Sequence, residues 1–153
     1  MKKKYLVLTI LWMIFIFYMS HQPATASDAQ SGGFMEMLSN LPIIGGVLAD
    51  FMKLDIAVFV VRKSAHMFLY FILSILIYLA IHNKYNVKAY IISFILTALY
   101  ACTDEVHQLF IQGRSGEIRD VLIDSSGALI GLILVYIINK IIIKKKTTIY
   151  NSK

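Results

Sequence analysis

The chain has a single thiol, Cys102. That excludes an intramolecular disulfide and any multi-cysteine metal site, and it leaves the compartment unreadable from cysteine usage. Charge is scarce as well: 16% of the 153 residues are charged against 58% hydrophobic, with a mean hydropathy of +0.70. The apolar residues come in blocks rather than at amphipathic spacing, which argues against a soluble domain. No HExxH or comparable ligand spacing occurs, so neither a metal nor another cofactor is implied, and neither Cys102 nor Ser64 stands in a recognised nucleophile context.

What is present is four apolar blocks, Tyr5–Met19, Val58–Ile81, Ala89–Cys102 and Val121–Ile143, each at or near the roughly 20 residues a helix needs to cross about 30 Å of hydrocarbon. They predict an all-α polytopic membrane protein, a compact antiparallel bundle of four transmembrane helices with short interfacial helices between the first and second. The expected layout is one membrane domain over residues 1–150, with spans at about 5–20, 57–82, 88–110 and 120–143 and an interfacial segment at 34–54. A basic cytoplasmic tail, 144–153, is expected to be disordered.

The net charge of +6 is explained by its distribution. With the N-terminus in the cytoplasm, Lys2, Lys3, Lys4, Lys84, Lys88, Lys140, Lys144, Lys145, Lys146 and Lys153 fall on the inner side with no acidic residue among them. Lys53, Arg62, Lys63, Arg114, Arg119 and all nine acidic residues fall outside. This positive-inside contrast predicts a cytoplasmic-membrane protein with both termini in the cytoplasm, and it weighs against nucleic acid as a partner because the basic residues flank membrane helices.

The N-terminal segment carries Ala24-Thr25-Ala26, a small-x-small pattern found at signal cleavage sites. The bulky Phe17, Tyr18 and Met19 at the end of its apolar run favour a retained helix. Farther on, Phe34, Met37, Leu38 and Leu41 share a helical face before Pro42 breaks it, predicting helices that rest on the membrane, with a lid as the alternative.

Between the third and fourth spans runs "YACTDEVHQLFIQGRSGEIRDVLIDSSGALIG". Ionisable groups below a membrane boundary are by default functional candidates. On the second span, Arg62, Lys63 and His66 project to one side. Counting sixteen residues up from His82 to His66, and from Lys88 to Asp104, puts both about 24 Å above the cytoplasmic boundary, so the two groups are expected to meet. Asp104, His107 and Gln108 share a face, with Glu105 turned about 100° away. Asp120, Asp124, Gly127 and Gly131 form one stripe, and the glycine pair allows a close helix approach within the chain or between chains.

"RKSAHMFLYFIL", the "TDEVHQ" block, the following Arg114, and Asp120 before the glycine-bearing helix resemble, in that order, the VanZ-like family of small bacterial membrane proteins. The likeness includes Ser20 and Gln22 at the end of the first span, which also favours a retained first helix; where that family often has Asn, this chain has Asp124. The resemblance implies a link to resistance against teicoplanin-type glycopeptide antibiotics, which attack wall precursors outside the membrane.

Three readings of the polar cluster follow. As a binding site, Arg62, Lys63 and Arg114 pair phosphate or carboxylate, with Gln108, Asp120 and Asp124 completing the pocket, for an anionic head group or lipid-linked wall precursor. As an enzyme, a hydrolase or transferase of a lipid-linked substrate, His66 or His107 acts as base or nucleophile, oriented by Asp104 or Glu105. As scaffold, the same charges neutralise one another in an ion-pair network. Transport is weaker, since the charges sit at one end and leave no polar path across the membrane.

Overall fold

The computed structural model describes residues 2–40, 50, 54, 56–82 and 86–151. Leu41, Pro42, Lys53, Asp55, Lys84 and Lys153, on which some sequence expectations fall, lie outside them. The helices are α1 (Lys3–Ser20), α2 (Ala24–Ser39), α3 (Ala57–Ile81), α4 (Val87–Gln108) and α5 (Ile118–Asn151), with no strand among the described residues. All but α2 are long and apolar enough to cross a membrane. In hydrocarbon a chain must satisfy its own backbone polar groups, and for runs of this composition the helix is the solution. Val7, Leu11 and Ile14 on α1, and Ile91, Ile95 and Leu99 on α4, face outward as a lipid-contacting surface.

The direction of each helix follows from its contacts. The backbone N–H of Lys2 donates to the carbonyl of Ala80 at 3.0 Å, and the hydroxyl of Ser20 donates to Asp104 at 2.6 Å, so α1 starts beside the end of α3 and finishes beside the end of α4. Neighbours in sequence among the four long helices therefore run antiparallel, and α3 and α5 run parallel. Both begin at the end of the bundle that carries the carboxylates.

Two packed clusters fill the interior. Ile16, Tyr70, Leu73, Ile77 and Ala101 join α1, α3 and α4, while Tyr78, Ala89, Leu132 and Val135 join α3, α4 and α5. Polar side chains tie the helices between them: Trp12 Nε1 donates to the Leu69 carbonyl at 2.9 Å, Tyr100 to the Met13 carbonyl at 2.7 Å, and Asn139 to the hydroxyls of Tyr78 and Tyr90 at 3.0 and 2.9 Å. With no hydrophobic effect separating helix from lipid, such bonds and close packing hold a membrane bundle together.

The closest packing lies between α3 and α5. A Cβ on Gly127 would overlap the Met67 carbonyl oxygen, and one on Gly131 would sit 2.6 Å from the Phe71 carbonyl oxygen. One turn deeper, Ser74 donates to the Ala128 carbonyl at 3.0 Å. The glycine stripe thus serves a contact inside the chain.

α2 departs from the expected linker. Pro23, whose fixed φ suits a helix start, and the helix formers Ala24, Ala26 and Ala29 begin a helix ten residues before the Phe34 face. It packs against α3, burying Ser27 and Met35, while Met37 is exposed and the half-exposed Phe34 borders a groove with Ala65 and Leu69 of α3. Small residues allow the close seat. At the other terminus α5 stays helical through Asn151, beyond the point at which the tail was expected to lose structure.

Gly127→Ala is expected to cost about 1–3 kcal/mol by overpacking the α3–α5 seam, read as a lower unfolding temperature of the protein in detergent. Gly33→Ala, where nothing lies within 4 Å, serves as the control and is expected to cause no loss.

Candidate functional site

The polar end of the bundle encloses a partly open cavity of about 70 Å³, or about 550 Å³ with its mouth. Water needs roughly 10–15 Å³ of such space, so several waters or one phosphate- or carboxylate-sized group fit inside. One wall is α3, presenting Arg62, Lys63 and His66 at the spacing of successive helical turns. α5 supplies Asp120 and Asp124, while Glu105, Gln108 and Arg114 come from the end of α4 and the turn after it.

That turn is held in place from both sides. Gly113 adopts φ +74°, the left-handed region that glycine enters without penalty. Its neighbour Gln112 accepts a hydrogen bond from the Ala24 backbone N–H at 3.2 Å, and Arg114 Nε donates to the Gln22 carbonyl at 2.9 Å. Buried Glu105 accepts from the backbone N–H of Glu117 at 2.9 Å, fixing the entry to α5. Burial, and after it the nearby Arg62 guanidinium, push the Arg114 guanidinium down from its ordinary range. At the exposed rim of the cavity, the Ser115 hydroxyl and Arg119 hold the Glu117 carboxyl below the usual carboxylate range.

The charges are partly matched. Arg62 pairs with Asp28 of α2, Lys63 with Asp120, and Arg119 with Glu117. The Lys63 ammonium and the Arg119 guanidinium each also lie 5.3 Å from the centre of the Phe59 ring. Matching is incomplete at Arg114 Nη2, Asp120 Oδ1 and both oxygens of Asp124, all buried without a hydrogen-bond partner. His66, half-buried in the cavity wall, has no hydrogen-bond partner among the described residues.

Of the residues singled out from sequence, Arg62, Lys63, His66, Glu105, Gln108, Arg114, Asp120 and Asp124 line this one cavity. Asp104 lies behind it, accepting from Ser20 and, at 3.4 Å, from Gln108 Nε2, so it reaches the cavity only through Gln108. Its expected meeting with His66 is absent from the contacts of either residue among those described. His107 turns to another face, 3.1 Å from His21 Nδ1 through its Nε2 and packed on Phe17 with ring centres 4.5 Å apart. His66 and His107 are therefore not brought together.

Sequence reasoning passed over Asp28, hidden in a stretch of small polar residues, and Tyr70. The Tyr70 hydroxyl is buried beside Asp104 and Asp124 without a well-formed hydrogen bond. Its position four residues after His66, on the same helical face, was the available signal. Among the described residues no group of three or more His, Cys, Asp and Glu side chains is disposed to hold a metal ion.

The family model described as VanZ/LLP1 matches residues 5–139, which takes in α1, the cavity and most of α5. The chain belongs to the VanZ/LLP1 family. No curated protein and no solved structure matches it. This VanZ/LLP1 chain is thus a membrane protein of four apolar spans whose polar residues converge at one end of the bundle.

The Lys63–Asp120 pair, both side chains largely buried, supplies a test of the cavity wall. Lys63→Met leaves the Asp120 carboxylate uncompensated and is expected to cost about 3 kcal/mol in detergent unfolding, whereas adding Asp120→Leu restores most of the loss. A single variant as stable as the parent would show that the pair does not hold the two helices.

Proposed function

We propose that this VanZ/LLP1 protein binds an acidic group of a cell-envelope lipid or lipid-linked wall precursor at the outer face of the bacterial cytoplasmic membrane. Through that ligand it alters susceptibility to teicoplanin-type glycopeptides. The observation that carries the reading is the buried Arg114 Nη2, a charged donor without a partner in a cavity that also holds Arg62 and Lys63. A buried guanidinium N–H left unmade costs free energy that a phosphate or carboxylate oxygen recovers, and the planar guanidinium suits such an acceptor.

Sidedness is supported by charge. Lys2 lies against His82 at 3.1 Å, and Lys140 borders the groove that contains Val87, so basic residues gather at the end opposite the cavity. By the positive-inside rule that end is cytoplasmic, which leaves the cavity facing outward and both termini inside. Glycopeptides act on wall precursors on that outer side.

A second reading is an enzyme that hydrolyses or transfers a lipid-linked group, favoured by the free imidazole nitrogens of His66 in the same cavity. It rests on His66 as the base: His107 stacks on His21 elsewhere, and Glu105 is already engaged with the Glu117 backbone.

Cells expressing the chain are expected to shift in susceptibility to teicoplanin-like drugs, and Arg114→Ala is expected to abolish the shift with the protein still present in the membrane. His66→Ala retains part of the shift if the site binds and loses all of it if the site is catalytic. No shift in cells that contain the intact protein would sink the proposed role.

A further inference from the structure

Five buried side-chain polar atoms among the described residues lack a hydrogen-bond partner, and four of them belong to residues that line one cavity: Arg114 Nη2, Asp120 Oδ1, Asp124 Oδ1 and Asp124 Oδ2. Both carboxylates belong to residues more than nine-tenths buried, Asp120 at 7% exposure and Asp124 at 1%. Unmade hydrogen bonds at charged atoms inside a protein are expensive, and these unmet groups carry both signs.

Charge narrows the ligand further. Of the ionisable groups in the wall, Arg62 is matched by Asp28, Lys63 by Asp120 and Glu117 by Arg119, which leaves Arg114, Glu105 and Asp124 without an ion-pair partner among the described residues. A simple anion satisfies Arg114 but leaves the oxygens of Asp120 and Asp124 unmet. A simple cation does the reverse, and the carboxylates are not disposed to hold a metal ion. An ammonium group has three N–H donors, matching the three unmet oxygens of Asp120 and Asp124. An acid group beside it meets Arg114.

We infer that the cavity recognises a zwitterionic group, with its ammonium on Asp124 and Asp120 and its phosphate or carboxylate on Arg114. This rests on the proposed binding role and specifies its ligand class. The small enclosed volume admits the charged group alone, and the open mouth accommodates whatever it is attached to. Two sources share this chemistry, an ethanolamine phosphate head group and an amino-acid or peptide zwitterion.

Titration calorimetry on the full chain in a non-ionic maltoside detergent separates the possibilities, using O-phosphoethanolamine, O-phosphocholine, inorganic phosphate, ethylammonium and glycylglycine as probes. At least one of phosphoethanolamine and glycylglycine is expected to bind about tenfold or more tighter than inorganic phosphate and ethylammonium, because charge-assisted bonds form at both ends. Whichever of the two binds tighter identifies the source. Phosphocholine, a cation without N–H donors, is expected to bind about tenfold more weakly than phosphoethanolamine if the phosphate source is correct. The isosteric Asp124→Asn is expected to remove the preference for the zwitterion, while phosphate, which no longer faces that carboxyl group, binds at least as tightly as before. Should that variant fail to fold, the comparison among probes on the parent protein decides. Phosphate binding as tightly as both zwitterions overturns the zwitterion assignment while the acidic-group reading stands. Absence of binding by phosphate and by both zwitterions overturns the two together.

Discussion

Everything at the polar end depends on how closely α3 and α5 approach. Gly127 and Gly131 let the backbones of Met67 and Phe71 occupy the space where side chains would stand, and this fixes the register of two parallel helices. One turn toward the polar end, the same register sets Lys63 opposite Asp120 and places Asp124 and His66 in the wall of one cavity. A larger residue at either glycine would part the walls as well as weaken the seam. Packing and site are one stripe of α5, used at two heights.

The bundle also shows how a membrane protein distributes its polar groups. At the basic end, Tyr78, Tyr90 and Asn139 satisfy one another in a closed network. In the middle, Trp12 and Tyr100 spend their donors on carbonyls of neighbouring helices. At the polar end the satisfaction stops, and the unmet atoms converge on one cavity. Among the described residues, buried polar side chains elsewhere in the fold find partners, the Tyr70 hydroxyl excepted, so four of the five unmet atoms are concentrated in residues of one cavity.

Much of this was legible in the sequence. Apolar block length and lysine placement gave four spans, and helical spacing put Arg62, Lys63 and His66 on one wall and Asp120 and Asp124 on another. What escaped has a common cause: helix rise fixes depth but says nothing about azimuth. Asp104 and His66 were expected at similar heights, yet α1 supplies Ser20, whose hydroxyl draws Asp104 toward its own side, and His107 follows the opposite face to His21. α2 escaped for a different reason. The alanines, serines and glycines that precede the Phe34 face carry no apolar period, so neither the first half of the helix nor the Asp28 partner of Arg62 could be read from spacing.

Two hydrogen bonds, one between backbones and one from the Arg114 side chain, couple the start of α2 to the turn after α4. Ala24 holds Gln112, and Gln22 holds the Arg114 side chain, so these segments are tied to each other rather than standing as two independent loops. Swinging α2 off α3 pulls Asp28 from Arg62 and must either carry Arg114 along or break its tether. The seat of α2 on α3 and the position of the Arg114 guanidinium are therefore mechanically linked.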